Sequence, residues 1–481
     1  MADAQRKLDW AKLLNGNRRK PPSAPSPQKG KEQRIPLERD YDRLLFSTPV
    51  RRLADKTQVF PLERNDSVRT RLTHSHEVAN LARSIGTTLF YNHGDELGLA
   101  AIPDAARSVP SLLGAVGLAH DLGNPPFGHQ GEDAMQSWIT RHSLPKGEDK
   151  NSFDIFAGAD LTAAQQRDFE KFEGNAQALR LLTRLQIIND GYGLNMSYAA
   201  LAALMKYPVP SDKIDKSIQS RKKFNFFQSE AKIVDEVWRN TGLEEGVRHP
   251  LTLVMEACDD IAYSVLDLED AAKKGLISFH DLIASLSHDA KDDPQIIDIC
   301  EQSRKRETEY RQSQLSGAEL SDISMQMLRV QAIGLMVNAV TDAFVANRDT
   351  IMAGEFHGEL LAGSRSEALW KALKGFARKH VYSHRSVIEV ELEGHRTIHA
   401  LMDALWQAIR NRGSEDFVSP RGTKPYDAYV YSRISENYRR AAQMSDMPMR
   451  YRELQLMTDM ISGMTDSFAV ELCRNLVSLR G

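Results

Sequence analysis

Residues 117–132 read GLAHDLGNPPFGHQGE, and they constrain the fold more than any other stretch of the chain. An apolar run of small residues, LLGAVGLA, ends on His120 and Asp121. A Gly-Asn-Pro-Pro turn follows, and His129 and Glu132 then stand three residues apart. Titratable groups set against a hydrophobic segment are costly to bury unless a metal, a partner or a reaction uses them. The pattern points to a metal-dependent hydrolase site whose remaining ligands come from elsewhere in the chain.

Helical spacing finds candidates for those ligands. In RTRLTHSHEVANLARSIGTTLF, the residues Val78, Leu81, Ala82, Ile85 and Leu89 share one stripe, and His74 extends it. His76 falls instead with Asn80, Arg83 and Thr87 on the polar side. Leu113, Val116, Gly117 and His120 repeat the inward pattern in the next helix. In HPLTLVMEACDDIAYSVLDLEDAAKKGLI, Met255, Asp259, Ala262 and Leu266 lie together, while Asp260 and Asp267 share the adjacent face. A carboxylate among Met, Ala and Leu needs compensation, which favours Asp259 as a ligand.

His74, His120, Asp121 and Asp259 are therefore candidates to surround one divalent ion. Mixed imidazole and carboxylate ligation suits Mn, Fe, Ni, Co or Zn, and Mg less comfortably. His129 and Glu132 are close enough on a helical turn for the carboxylate to orient the imidazole as an acid–base pair. Taken alone, a His-Asp pair also fits an ordinary helix end, and His129 with Glu132 a hydrogen-bonded helix start. Three segments that point their candidates inward by independent periodicity favour chemistry.

The rest of the chain sets bounds. With 481 residues, 41% of them hydrophobic, it can build a sizeable core, and frequent Ala, Leu, Glu, Arg and Met favour helix. A net charge of −3 gives no global field towards nucleic acid or a membrane surface. Cys258, Cys300 and Cys473 are scattered and form no CxxC, as in a reducing cytoplasm. The N-terminus lacks a signal-peptide core, and LLGAVGLA is too short to span a bilayer. These features read as a soluble cytoplasmic protein with no membrane partner.

Along the chain, residues 1–38 contain the Pro-, Ser- and Lys/Arg-rich NRRKPPSAPSPQKGKEQR and read as a flexible basic arm. Residues 39–275 form the metal-binding core, with insertions near 140–170 and 208–245, and residues 276–481 a helical C-terminal region. One piece, SVIEVELEG, reads as extended and gives an otherwise all-α chain a small β excursion.

Together these motifs resemble the HD-domain superfamily and, within it, the bacterial dGTP triphosphohydrolases. The stretches that carry the resemblance are RRLADKTQVFPLERNDSVRTRLTHS, AHDLGNPPFGHQGE, FEGNAQALRLL, LMKYP, MEACDDIAYSVLDLEDA, VYSH and ISGMTDSFA. The resemblance implies an all-α HD-domain helical fold with extra helices. It also implies hydrolysis of dNTPs, dGTP above all, to deoxynucleoside and tripolyphosphate, and control of dNTP pools. Mn or Mg is the implied ion, and a homo-oligomer, often a hexamer, the implied assembly.

Residue by residue, the resemblance makes His74, His120, Asp121 and Asp259 metal ligands and His129 with Glu132 the catalytic pair. Gln58, Val59, Asn175, Lys206, Tyr207, Tyr263, Asp267 and Glu391 fall on positions of the nucleotide pocket, with Glu391 and Arg433 in a region of subunit contacts. Another HD phosphohydrolase, such as a 5′-nucleotidase or phosphodiesterase, would use the same metal residues. A nucleotide-sensing or single-stranded-DNA-binding protein with little turnover would instead use the basic arm and the aromatic KFNFF segment. A nucleotide or single-stranded DNA is also the implied activator.

Overall fold

The computed structural model describes residues 7–21, 32–63, 65–143, 154–186, 190–289, 292–419 and 424–480. Helices carry the fold, and among these residues β-pairing is confined to the isolated bridges Arg18–Ser197, Thr57–Thr70 and Pro210–Phe226. The chain is all-α.

Helix α1, Arg71–His93, starts at a reciprocal cap in which Thr70 and Thr73 each accept the other's backbone N–H. Its buried stripe holds His74, Val78, Ala82, Ile85 and Leu89. Val78, Ile85 and Leu89 each contribute about 1.5–3 kcal/mol when fully buried. Helix α2, Ala105–Ala119, lies against α1, most closely at Gly117, where a Cβ would come within 2.7 Å of the Ala79 Cα. The helix ends at His120.

Helix α3, Gly128–Arg141, follows the Gly-Asn-Pro-Pro turn, and helix α4, Gly174–Arg180, faces that turn. Helix α5, Pro250–Lys273, runs against both α1 and α2, with His249 accepting the Leu251 N–H as its cap. Helix α6, Gly317–Ala346, packs along α5 and buries Leu328, Ala332, Met336, Val340 and Phe344. It is the one described helix long and apolar enough to cross a membrane. Helix α7, Arg385–Arg410, crosses α3, and α8, Met449–Ser462, and α9, Asp466–Arg480, close the fold against α7.

Three expectations change. SVIEVELEG is not extended: residues 386–394 are the first turns of α7. The buried line there runs Val387, Gly394, Ile398, Leu401, Leu405, a helical spacing whose second member is a glycine. Ile388 and Leu392 are exposed, so apolar residues fall on both sides of the line and mimic a strand's alternation. The N-terminal arm is docked wherever it is described. Leu8, Trp10 and Leu13 are buried, the Trp10 indole N–H donates to the Leu97 carbonyl at 2.8 Å, and Arg18 pairs with buried Asp40 at 2.6 Å. Its residues 22–31 lie outside the described residues, as do 144–153 of the expected 140–170 insertion. The rest of that insertion includes the helix Ala163–Glu170. In the 208–245 segment, Phe224, Phe226 and Phe227 are core residues, which removes these rings as stacking platforms for a nucleic acid strand.

Candidate active site

Three helices bring the polar candidates together. Ligating atoms of His74, His120 and Asp121 all lie within 4.8 Å of one another. Asp259 Oδ1, from α5, sits 3.2 Å from His74 Nε2 and 3.4 Å from His120 Nε2. His120 Nδ1 lies 2.7 Å from the Gly117 carbonyl and donates to it, so Nε2 is the nitrogen turned towards the cluster. That Nε2 is buried with no hydrogen-bond partner, as is Nδ1 of His74. Leaving a buried polar atom unpaired costs about 1–3 kcal/mol. Two imidazoles and two carboxylates around an orphaned nitrogen fit a divalent cation.

Neighbours orient the cluster. Arg71 donates to Asp121 Oδ2 at 2.7 Å and the Asn124 amide to Oδ1 at 2.6 Å. Burial opposes every charge here, yet Arg71 and then the histidines hold the Asp121 carboxyl down at about 2. Burial likewise works against protonated His120, but Asp121 and Asp259 push it up to about 9. Asp259 lies well below the usual carboxylate range, with His120 first among the charges that outweigh its burial. A cation held at the cluster would take the place of that His120 proton.

The turn after Asp121 aims a second pair. Phe127 and Gly128 both adopt left-handed backbone, with φ of +64° and +59°. At Gly128 a side chain is disfavoured twice, by that backbone and because a Cβ would lie 2.4 Å from Nη2 of Arg71, whose guanidinium would have to move from Asp121. Helix α3 then presents His129 at the mouth, its side chain 70% exposed, with Nδ1 donating to Glu132 Oε2 at 3.0 Å. Glu132 is buried and its other oxygen accepts the Gly174 N–H at 2.8 Å. Burial would raise Glu132, but Lys223 and His129 bring it down to about 2. The hydrogen bond and charge of Glu132 raise His129 in turn. Lys223 also donates to Glu173 at 3.0 Å, whose carboxyl is pushed up to about 7 by burial and by the nearby Glu132 charge.

The cleft encloses about 480 Å³, a size that suits a nucleotide. His120, Asp121, Asp259 and His129 reach its surface together with Gln58, Val59, Asn175, Lys206, Tyr207, Tyr263 and Glu391. His74 and Glu132 stand one layer behind, against Asp259 and His129. Asp267 is off the wall: it is buried and accepts the Tyr382 hydroxyl at 2.6 Å. Tyr382 is the lining residue, its ring 5.5 Å from that of Tyr263. Gln58 Oε1 is buried without a partner. Lys206 Nζ lies 3.7 Å from Asp259 and 3.6 Å from Glu256.

Sequence reasoning missed Lys222, Lys223 and Tyr382 on this wall. The signals were present, in the basic run RKKFNFF and in VYSH, but nothing local ties either to the cleft.

No protein-family model matches the chain. Curated proteins do match over nearly its whole length. A deoxyguanosinetriphosphate triphosphohydrolase-like protein of Listeria monocytogenes is 36% identical over 98% of this chain and 100% of its own. A probable deoxyguanosinetriphosphate triphosphohydrolase of Pseudomonas aeruginosa is 34% identical over 92% of this chain and 93% of its own. A deoxyguanosinetriphosphate triphosphohydrolase of Yersinia pestis is 32% identical over 92% and 94%. With this identity sustained from end to end over an all-helical chain that gathers histidines and aspartates in one cleft, the chain belongs to the deoxyguanosinetriphosphate triphosphohydrolase-like family.

Proposed function

We propose that this cleft hydrolyses a deoxynucleoside triphosphate at its α-phosphorus, releasing deoxynucleoside and tripolyphosphate, with dGTP preferred. One observation carries the reading: the His129–Glu132 dyad opens onto the same cleft as His120, Asp121 and Asp259, beside Lys206, Lys222 and Lys223. The relatives named for dGTP triphosphohydrolysis support the substrate class. The proposed setting is the cytoplasm, where the dNTP pool lies; the three cysteines are free thiols.

His74, His120, Asp121 and Asp259 would hold a divalent ion, Mn or Mg, with Fe, Co, Ni or Zn as alternatives. Bound there, such an ion polarises a phosphoryl oxygen and lowers the pKa of water. The water oxygen bonds to the α-phosphorus, the bond from phosphorus to O5′ breaks, and O5′ departs with the electron pair. His129 gives that oxygen its proton, the water's own proton passes to solvent, and Glu132 keeps the imidazole charged and aligned. Lys206, Lys222, Lys223 and Arg71 offset the charge of the triphosphate chain. The unpartnered Gln58 Oε1 accepts from a sugar hydroxyl, and Tyr263 with Tyr382 closes on the sugar and excludes a ribose 2′-hydroxyl. Asp267 acts through Tyr382.

Ion chromatography of a dGTP digest with Mn²⁺ tests the bond choice. Equal amounts of deoxyguanosine and tripolyphosphate are expected. Release of dGMP and pyrophosphate overturns the reading in favour of another phosphohydrolase. Equal rates on all four dNTPs would remove the dGTP preference alone.

A further inference from the structure

The stretch ISGMTDSFA puts no residue on the cleft wall, yet it is bound to the machinery from behind. Asp466, the first residue of α9, is 1% exposed. Its Oδ1 accepts the Phe127 N–H at 3.0 Å, and its Oδ2 accepts both the N–H and the hydroxyl of Thr57, at 2.9 and 2.5 Å. We propose that Asp466 is a positioning residue, whose one carboxylate sets both the Thr57–Gln58 wall of the cleft and the left-handed turn that aims His129. The proposal rests on the hydrolase reading above.

Each arm of the contact ends on a part of the site that cannot hold itself. Phe127 is a bulky residue at φ +64°, a conformation costing about 1–2 kcal/mol that persists only where the surroundings over-determine it. Two contacts do so. The Asp466 carboxylate takes its N–H, and its ring lies over Gly394 of α7, where a Cβ would meet the ring at 2.6 Å. His129 follows two residues later, so a change at this turn re-aims the imidazole directly.

The second arm holds Thr57, which has no helix around it. It pairs with Thr70 through an isolated bridge, and Gln58 beside it lines the cleft and has a buried, unpartnered Oε1. The preceding residue is tied to the same corner. Buried Lys56 donates to the Asn124 carbonyl at 2.6 Å, in the Gly-Asn-Pro-Pro turn, and to the Ser462 carbonyl at 2.7 Å, at the end of α8. The α8–α9 corner thus grips the wall and the catalytic turn at once. A charged acceptor is suited to this, because hydrogen bonds to a carboxylate are stronger and more directional than those to a neutral group.

Asp466→Asn and Thr57→Val separate the two arms. Asparagine offers one acceptor oxygen where three donors converge, so both arms loosen: kcat on dGTP is expected to fall about 10-fold or more, with KM raised about 3-fold. Thr57→Val removes only the hydroxyl bond and leaves Phe127 held. It is expected to raise KM with kcat within about 2-fold of wild type, and Thr57→Ser to restore KM. Binding of Mn²⁺ alone, followed by calorimetry, is expected to stay within about 3-fold of wild type in each variant, since none of the four candidate ligands touches Asp466.

Asp466→Asn with wild-type kcat and KM overturns the positioning role and leaves the hydrolase reading standing. So does activity lost only in step with the folded fraction and with Mn²⁺ binding. If Asp466→Asn does not fold, unchanged KM in Thr57→Val is the overturning result. A wild-type protein that releases no tripolyphosphate overturns both readings together.

Discussion

In the proposed reaction His129 can hand a proton to a leaving oxygen only while it carries one, and the Glu132 hydrogen bond favours that protonated form. The imidazole lies above its ordinary range because of that hydrogen bond and charge, so the protonated form persists to higher pH than in a free imidazole. Activity is therefore expected to fall on the alkaline side. The shift also contributes fold stability that is full below the ordinary imidazole pKa of about 6.5 and is lost as pH rises through the folded value. Glu132→Gln removes the anion, lowers the His129 pKa, and is expected to move the alkaline limb of kcat to lower pH. It should also reduce kcat about 10²-fold, within the range of a lost general acid. A pH–rate profile from pH 6 to 10 checks it, and an unmoved limb refutes the dyad. At this scale the sequence was informative wherever a residue sat on a long helical stripe. His74 is fully buried and His76 is not, as their stripes required. Asp267 was less legible, because the group between it and the cleft, Tyr382, comes from 115 residues further along.

Among elements, the contact of α1 with α2 fixes the distance between His74 and His120, and Gly117 sets how close it is. Gly117→Val places a branched side chain where the Ala79 backbone already stands. The helices must part, and a loss of about 1–3 kcal/mol is expected, the usual cost of overpacking a core. Urea denaturation without added ion measures it, and the variant's Mn²⁺ affinity should drop as the two imidazoles separate. Full affinity with reduced stability would mean that the spacing is not what Gly117 controls. The helices were legible as helices because an amphipathic period repeats over several turns. The start of α7 was not, since its buried line passes through Gly394, which a search for apolar residues skips.

For the whole molecule, an ion held among the buried charges of the cluster would stabilise the fold as well as serve the proposed reaction. Mn²⁺ at about 100 times its dissociation constant is expected to add about 2.7 kcal/mol and raise the melting temperature, and EDTA to reverse the rise. His120→Ala should abolish the shift; a shift that survives would put the ion elsewhere. The docking of the N-terminal arm was the least legible in the sequence. Composition marks the arm as a tail, but Trp10 reaches the Leu97 carbonyl and Leu8 N–H the Met352 carbonyl, contacts that no local pattern announces.

The grip of Asp466 joins residues 409 and 339 positions apart. A chain emerging from the ribosome has released all four candidate ligands by residue 259, more than two hundred residues before the carboxylate that steadies His129. Contacts of such long span close late in folding. During synthesis the turn before His129 therefore waits for its carboxylate until the chain is almost finished, long after the four candidate ligands and the His129–Glu132 pair have been made.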